Sequence, residues 1–315
     1  MLQLLSSTIE IIITTSPLLY FTLFIFGLIF GSFFKVVVDR SAQIYELEQE
    51  SLSLKDKIHE QLGLLYKKIF SKKTESLSES WHQGRSRCDH CDKQLAWYDN
   101  IPLLSFVLLR GKCRYCQQKI DFSYPLNEFL CALIFVFAGF IVLEKSFVSF
   151  FPISVALLFA LFTLSTLWLI FLFDWKYMII PDELVLILSG LGVIKLIVSA
   201  VTQNNFIWVD LIVALSLFVV FLILRYVPLL ILKKEGMGWG DIKLIVPLGL
   251  VLGYQRSLIG VFCAFIIGGV WGIILLISRK AKRGQMVSFG PLLVLGALIA
   301  LGWGLELWQF YWRLL

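Results

Sequence analysis

"GMGWGDIKLIVPLGLVLGY", residues 236–254, is an apolar run too short for an ordinary membrane span, entered through three glycines and an acid, Asp241. Whether it crosses a bilayer or turns back decides the topology of the whole chain. The 315 residues around it are 58% hydrophobic and 15% aromatic, against about 45–50% apolar usage in a soluble domain. Runs of about 18 or more apolar residues read as spans. They fall near 17–38, 126–144, 149–173, 183–201, 207–232, 258–278 and 289–310. The fold class is therefore an all-α polytopic membrane protein.

Charge settles the short run. Half of the 28 Lys and Arg lie between the first two spans, which makes that segment cytoplasmic by the positive-inside rule. If residues 242–254 cross, then Lys176, the Lys233–Lys234 pair and the basic cluster at 279–283 all face the same side, and Lys145, Arg256 and Arg313 face the other. If they turn back, the 279–283 cluster faces outward against the rule. The sequence thus predicts about eight transmembrane helices with both termini outside. Before Lys35 the only charge is Glu10, so the first span lacks the basic flank of a cleavable signal and is expected to stay as an anchor. The net charge of +6 suits anionic lipid head groups as partners. Nucleic acid is excluded as a partner, because the basic residues are mixed with acids and lie beside a membrane.

The chain divides into a first span (1–38), a cytoplasmic loop (39–125) and a membrane domain (126–315). In the loop, apolar residues from Ile44 to Ile69 recur at spacings of three, four and seven, one face of an amphipathic helix over 44–70. A polar linker follows, and then the cysteines over 85–120. Cys88 and Cys91 form one CxxC and Cys113 and Cys116 another, 21 residues apart. Two such turns present four thiolates to one tetrahedral Zn²⁺. The rival is a pair of disulfides, which a reducing cytoplasmic loop disfavours. A closed four-thiolate site is structural, so a zinc-ribbon-like domain is expected, with His90 a spectator. Cys131 and Cys263, inside spans, read as small hydrophobes.

Two acidic clusters border the membrane on the cytoplasmic side. Asp174 ends the third span in "FDWKYMIIPDEL" and Asp182 opens the fourth, while Asp241 follows Gly236, Gly238 and Gly240. Two carboxylates together in a low-dielectric site cannot both ionise, so one keeps a proton while the other acts as a base on water. That is the equipment of an aspartic protease. The alternative is that these acids only pair with lysines at the interface, Lys243 among them.

"FGSFFKVVVDR" (30–40), the cysteine segment "RSRCDHCDKQLAWYDNIPLLSFVLLRGKCRYCQQKIDFSYPLNE" (85–128), "DWKYMIIPD" (174–182), "KEGMGWGDIKL" (234–244) and "SFGP" (288–291) together resemble the prepilin peptidases, the type IV leader peptidases of bacterial inner membranes. The resemblance implies that Asp174 and Asp241 are the catalytic pair, with Asp182, Gly238, Gly240 and Lys243 in support. It also implies that prepilins and pseudopilins are the substrates, cut after a Gly on the cytoplasmic side. Members with the four-cysteine domain also methylate the new N-terminal amine from S-adenosylmethionine. Gly111, in the turn before the second CxxC, is the residue selected for that second activity. One alternative is a peptidase without methyltransferase activity; a rival of another class is a proton-coupled transporter or scaffold with a zinc docking module. Relay acids belong at mid-bilayer, whereas these sit at the ends of spans.

Overall fold

A computed structural model describes residues 17–55, 86–88, 90–145, 147–203, 207–233, 236–278 and 288–314. Nine α-helices are present among them: α1 Pro17–Lys55, α2 Leu104–Leu108, α3 Ser123–Leu143, α4 Ile153–Tyr177, α5 Asp182–Gln203, α6 Ile207–Leu232, α7 Trp239–Leu252, α8 Tyr254–Ile277 and α9 Gly290–Leu314. Seven are long and apolar enough to cross a membrane, all but α2 and α7. They coincide with the seven long apolar runs of the sequence. The first span and the start of the expected amphipathic helix are one continuous helix through Lys55; residues 56–70 lie outside the described residues.

Thr22–Leu133 forms one compact unit, and Ile134–Leu315 makes up most of a second. In the first, α1 and the start of α3 run antiparallel with their backbones close. A Cβ on Gly27 would lie 2.5 Å from the Ala132 Cα, and one on Gly31 2.7 Å from the Glu128 Cα. Small residues four apart allow this approach, the usual solution where lipid tails supply no hydrophobic drive between helices. The Asn127 side chain then donates to the Gly31 carbonyl at 2.6 Å, satisfying a buried amide.

In the second unit α7 is the central element, with Ile242, Leu244, Ile245 and Val251 fully buried. Its 14 residues measure about 21 Å, well under the roughly 30 Å hydrocarbon core. It nevertheless runs from one end of the α5–α6 hairpin to the other. Near its start Lys243 donates to Asp182 at the head of α5. Just past its end the Tyr254 N–H donates to Asp210, three residues into α6. α8 then returns, bringing Trp271 within 6.4 Å of Trp175 near the end of α4. The short run therefore passes through the bundle, and α8 finishes at the same end as Lys176.

The shortfall in length is closed by polar groups. Lys195 of α5, buried, donates to the Leu250 carbonyl at 3.1 Å and pairs with Asp210 at 3.5 Å, so the C-terminal carbonyls of α7 find a donor inside the protein rather than water. Sequence reading treated residue 195 as part of an uninterrupted span. The structure makes it the residue that completes one.

Candidate active site

Asp174 lies in the last turn of α4, where the chain reverses at Met178 in a left-handed cap whose N–H returns to the Asp174 carbonyl. Its side chain points into the bundle, only 5% of the residue remaining exposed. There the Ser288 hydroxyl donates to Oδ2, and the backbone N–H of Gly290 donates as well. Gly290 is the first residue of α9, so the carboxylate sits on a helix N-terminus, where unpaired N–H groups and the helix dipole favour negative charge. A Cβ at residue 290 would collide with Asp174 Oδ2, so a larger residue there would displace the carboxylate.

Asp241 reaches an equivalent setting from within its own helix. Gly238 caps α7, and the acid three residues later accepts the Gly238 N–H, the reciprocal half of a capping box. Asp241 is 7% exposed and close enough to Asp174 for that charge to act on it. The two helix starts meet across Ile180, whose side chain lies 3.2 Å from the Cβ positions of both Gly240 and Gly290. The expected pair, Asp174 and Asp241, is thus brought together with Gly238 and Gly240 in the roles of cap and spacer. Asp182 and Lys243 bond each other at 2.8 Å outside this pocket. Both side chains are largely exposed, so the pair contributes no more than about 1 kcal/mol and serves to orient α7 on α5.

Two contributors escaped the sequence reading. Ser288 was noted within a motif but given no task. Arg225, buried in α6, donates to the Met237 carbonyl and lies over the Trp239 ring at 4.9 Å, gripping the loop that delivers Asp241. A single Arg inside an apolar span is the signal that marks it. Pro228 adds to the grip: having no N–H it frees the Leu224 carbonyl four residues back, and Gly236 packs directly on that carbonyl.

The cysteines form a second centre, in the unit Thr22–Leu133. Each CxxC lies in a turn of the same register. The Cys88 N–H bonds the Lys93 carbonyl and the Asp92 N–H bonds the Cys88 carbonyl; Cys113, Gln118 and Gln117 repeat the pattern. Antiparallel bridges, Arg87 with Gln94 and Lys112 with Lys119, close the two turns. The zinc-ribbon-like expectation is met as two knuckles without an extended strand ladder among the described residues. The four sulfurs lie within 4.8 Å of one another, and Cys88 and Cys116 are 3.8 Å apart. Metal–sulfur bonds of about 2.3 Å in a tetrahedron require S···S edges of about 3.8 Å, so the donor set fits a metal ion. The Cys116 and Tyr115 N–H groups donate toward the Cys113 sulfur and lower the pKa of its thiol, favouring the thiolate that binds metal. His90 is exposed and not among the four. Gly111 sits beside the second knuckle at φ +69°, where a Cβ would also press on Phe106 at 3.1 Å.

Comparison with known proteins follows the same division. A model of the bacterial peptidase A24 N-terminal domain matches residues 25–142, with all four cysteines, and a model of the type IV leader peptidase family matches 160–273, with both aspartates. A prepilin leader peptidase/N-methyltransferase of Aeromonas hydrophila is 33% identical, the match covering 94% of each chain. The chain belongs to the type IV leader peptidase family. A relative of the same name in Pseudomonas aeruginosa is 30% identical over 90% of each chain, and one in Legionella pneumophila 29% over 93% of this chain and 94% of its own. No solved structure matches the chain. Ser288 lies beyond the matched segment of the peptidase model.

Two outcomes are expected of this leader peptidase. The purified protein should carry about one Zn²⁺ per chain by elemental analysis, lost on acidification because the thiolates must be deprotonated to bind it; Cys113→Ser should release it. Ser288→Ala removes a hydrogen bond to a charged group worth about 1.5–3 kcal/mol, and should lower kcat for leader cleavage by about 10- to 150-fold, with KM within twofold of the parent.

Proposed function

We propose that the chain is a membrane-embedded aspartic endopeptidase that removes the short leader of type IV prepilins and pseudopilins after a Gly, on the cytoplasmic side of the bacterial inner membrane. In the same reading it methylates the new N-terminal amine, with S-adenosylmethionine as donor. The observation that carries the first part is the seating of two buried carboxylates, Asp174 and Asp241, on two helix N-termini that share Ile180.

The chemistry follows from that seating. One carboxylate takes a proton from a water held between the pair, and the oxygen adds to the scissile carbonyl carbon. The other carboxyl gives its proton to the carbonyl oxygen. Collapse of the tetrahedral intermediate breaks the C–N bond: the leaving amine takes the proton gathered by the first carboxylate, and a hydroxyl of the intermediate returns its proton to the second. No nucleophilic side chain is needed. A site at the end of spans suits a substrate whose apolar helix stays in lipid while its scissile bond reaches the interface. The exit of 14 of 28 basic residues into one loop supports the cytoplasmic orientation by the positive-inside rule.

The four-cysteine centre is assigned to Zn²⁺ in a structural role, because four protein ligands leave no position for water or substrate. The loop that carries it is the sizeable polar segment of the chain, and methyl transfer needs a polar surface for its donor. Methylation is accordingly assigned there, with Gly111 as its probe.

Asp174→Asn and Asp241→Asn should each reduce cleavage of a purified prepilin by at least about 100-fold, read on a gel that resolves precursor from mature pilin. A variant cleaving at the parental rate removes that residue from the pair. Gly111→Ser forces a side chain into a left-handed turn, and mass spectrometry of the mature pilin should show methylation falling several-fold further than cleavage. Equal loss of both would make Gly111 a turn residue alone.

A further inference from the structure

Between the two knuckles, the segment Trp97–Leu108 carries apolar surface that neither the metal centre nor the peptidase chemistry uses. Trp97 is 78% exposed, Val107 69% and Leu108 71%, and Leu104 is exposed with them. Leu104, Val107 and Leu108 stand at i, i+3 and i+4 on α2 and so share one face. Scattered exposed leucines need no explanation, whereas a cluster on one short segment marks a contact surface.

A hydrogen bond ties that surface to the start of a span. The Leu103 N–H, immediately before α2, donates to Glu128 Oε2 at 2.8 Å. Glu128 is the sixth residue of the span Ser123–Leu143, about 7.5 Å along its axis. The start of α2 is therefore tied to the second turn of a membrane-crossing helix. Phe122, exposed just ahead of that span, meets Phe106 of α2 edge-on at 6.2 Å. Exposed Arg110 and Lys112 follow α2 directly.

We infer that Trp97–Leu108 is a membrane foot, lying in the lipid interface with Leu104, Val107 and Leu108 among the upper acyl chains and Arg110 and Lys112 against anionic head groups. Interfacial helices settle about 5–10 Å into the head-group and acyl boundary, a level compatible with a tie to Glu128 near the start of the span. Tryptophan favours that same level, and basic residues are drawn to anionic lipid there. Because the segment joins Cys91 to Cys113, the foot anchors both knuckles at the bilayer surface. The inference holds whatever reaction the chain catalyses.

The test places the photo-crosslinker p-benzoylphenylalanine singly at Leu104, Val107 and Leu108 of the full chain, in vesicles of phosphatidylethanolamine and phosphatidylglycerol, with exposed Gln118 on the second knuckle as reference. Lipid adducts, read by mass spectrometry after irradiation, should exceed those at Gln118 by fivefold or more at two or more of the three positions. Three positions keep the test decisive if one variant fails to fold. Adducts mainly to peptides of the same chain, crosslinked dimers, or yields no higher than at Gln118 would each overturn the foot, assigning the face to an intramolecular contact, a second copy or water.

Discussion

A carboxylate withdrawn from water costs several kcal/mol unless donors replace its hydration, and the second unit is organised around meeting that requirement twice. Asp174 takes a hydroxyl from Ser288 and an N–H from the start of α9. Asp241 takes the N–H of the cap of its own helix. Supplying those donors fixes where α7 and α9 begin and how near they come to α4. With its start held at the level of Asp174 and its length at 14 residues, α7 falls short of a full span, and Lys195, paired with Asp210, donates to the Leu250 carbonyl near its end. Lys195 in the second half of α5 and Asp210 in the first turn of α6 are in this sense a consequence of the carboxylates near the start of α7.

The same requirement explains why the loop before Asp241 is clamped from several directions. A carboxyl displaced by one ångström loses its donors, and misplacement on that scale also lowers rate steeply in a site that works by positioning. Arg225 holds the Met237 carbonyl and stacks on Trp239, while Gly236 rests on the carbonyl that Pro228 leaves free. The glycines of the motif thus answer to different neighbours: Leu224 for Gly236, Asp241 itself for Gly238, Ile180 for Gly240.

How much of this could be read in advance depends on the range of the signal. Spans are local averages of hydropathy, and all seven long runs became helices at their expected places. The four-cysteine cluster was legible because CxxC is local and each knuckle closes its own turn; only the meeting of the two needed the fold. The short crossing came from counting charges across the whole chain, and its path from Asp182 to Asp210 agrees with that count. What stayed hidden were single polar residues within apolar runs. Lys195 and Arg225 disappear in an 18-residue average, and the partner of Ser288 lies 114 residues away in the chain.

These hidden residues share a physical character that separates them from the legible ones. Each is a donor, and each serves an acceptor that the fold has removed from water: Ser288 a carboxylate, Arg225 a loop carbonyl, Lys195 the end of a short helix. In a soluble protein water could stand in for any of them. Within a packed membrane bundle water has little access, and a buried polar group left unsatisfied costs free energy. An isolated donor in a long apolar run is therefore best read as evidence of an acceptor elsewhere that lacks its partner. In this chain the acceptors so identified are the loop that carries Asp241 and the helix that follows it.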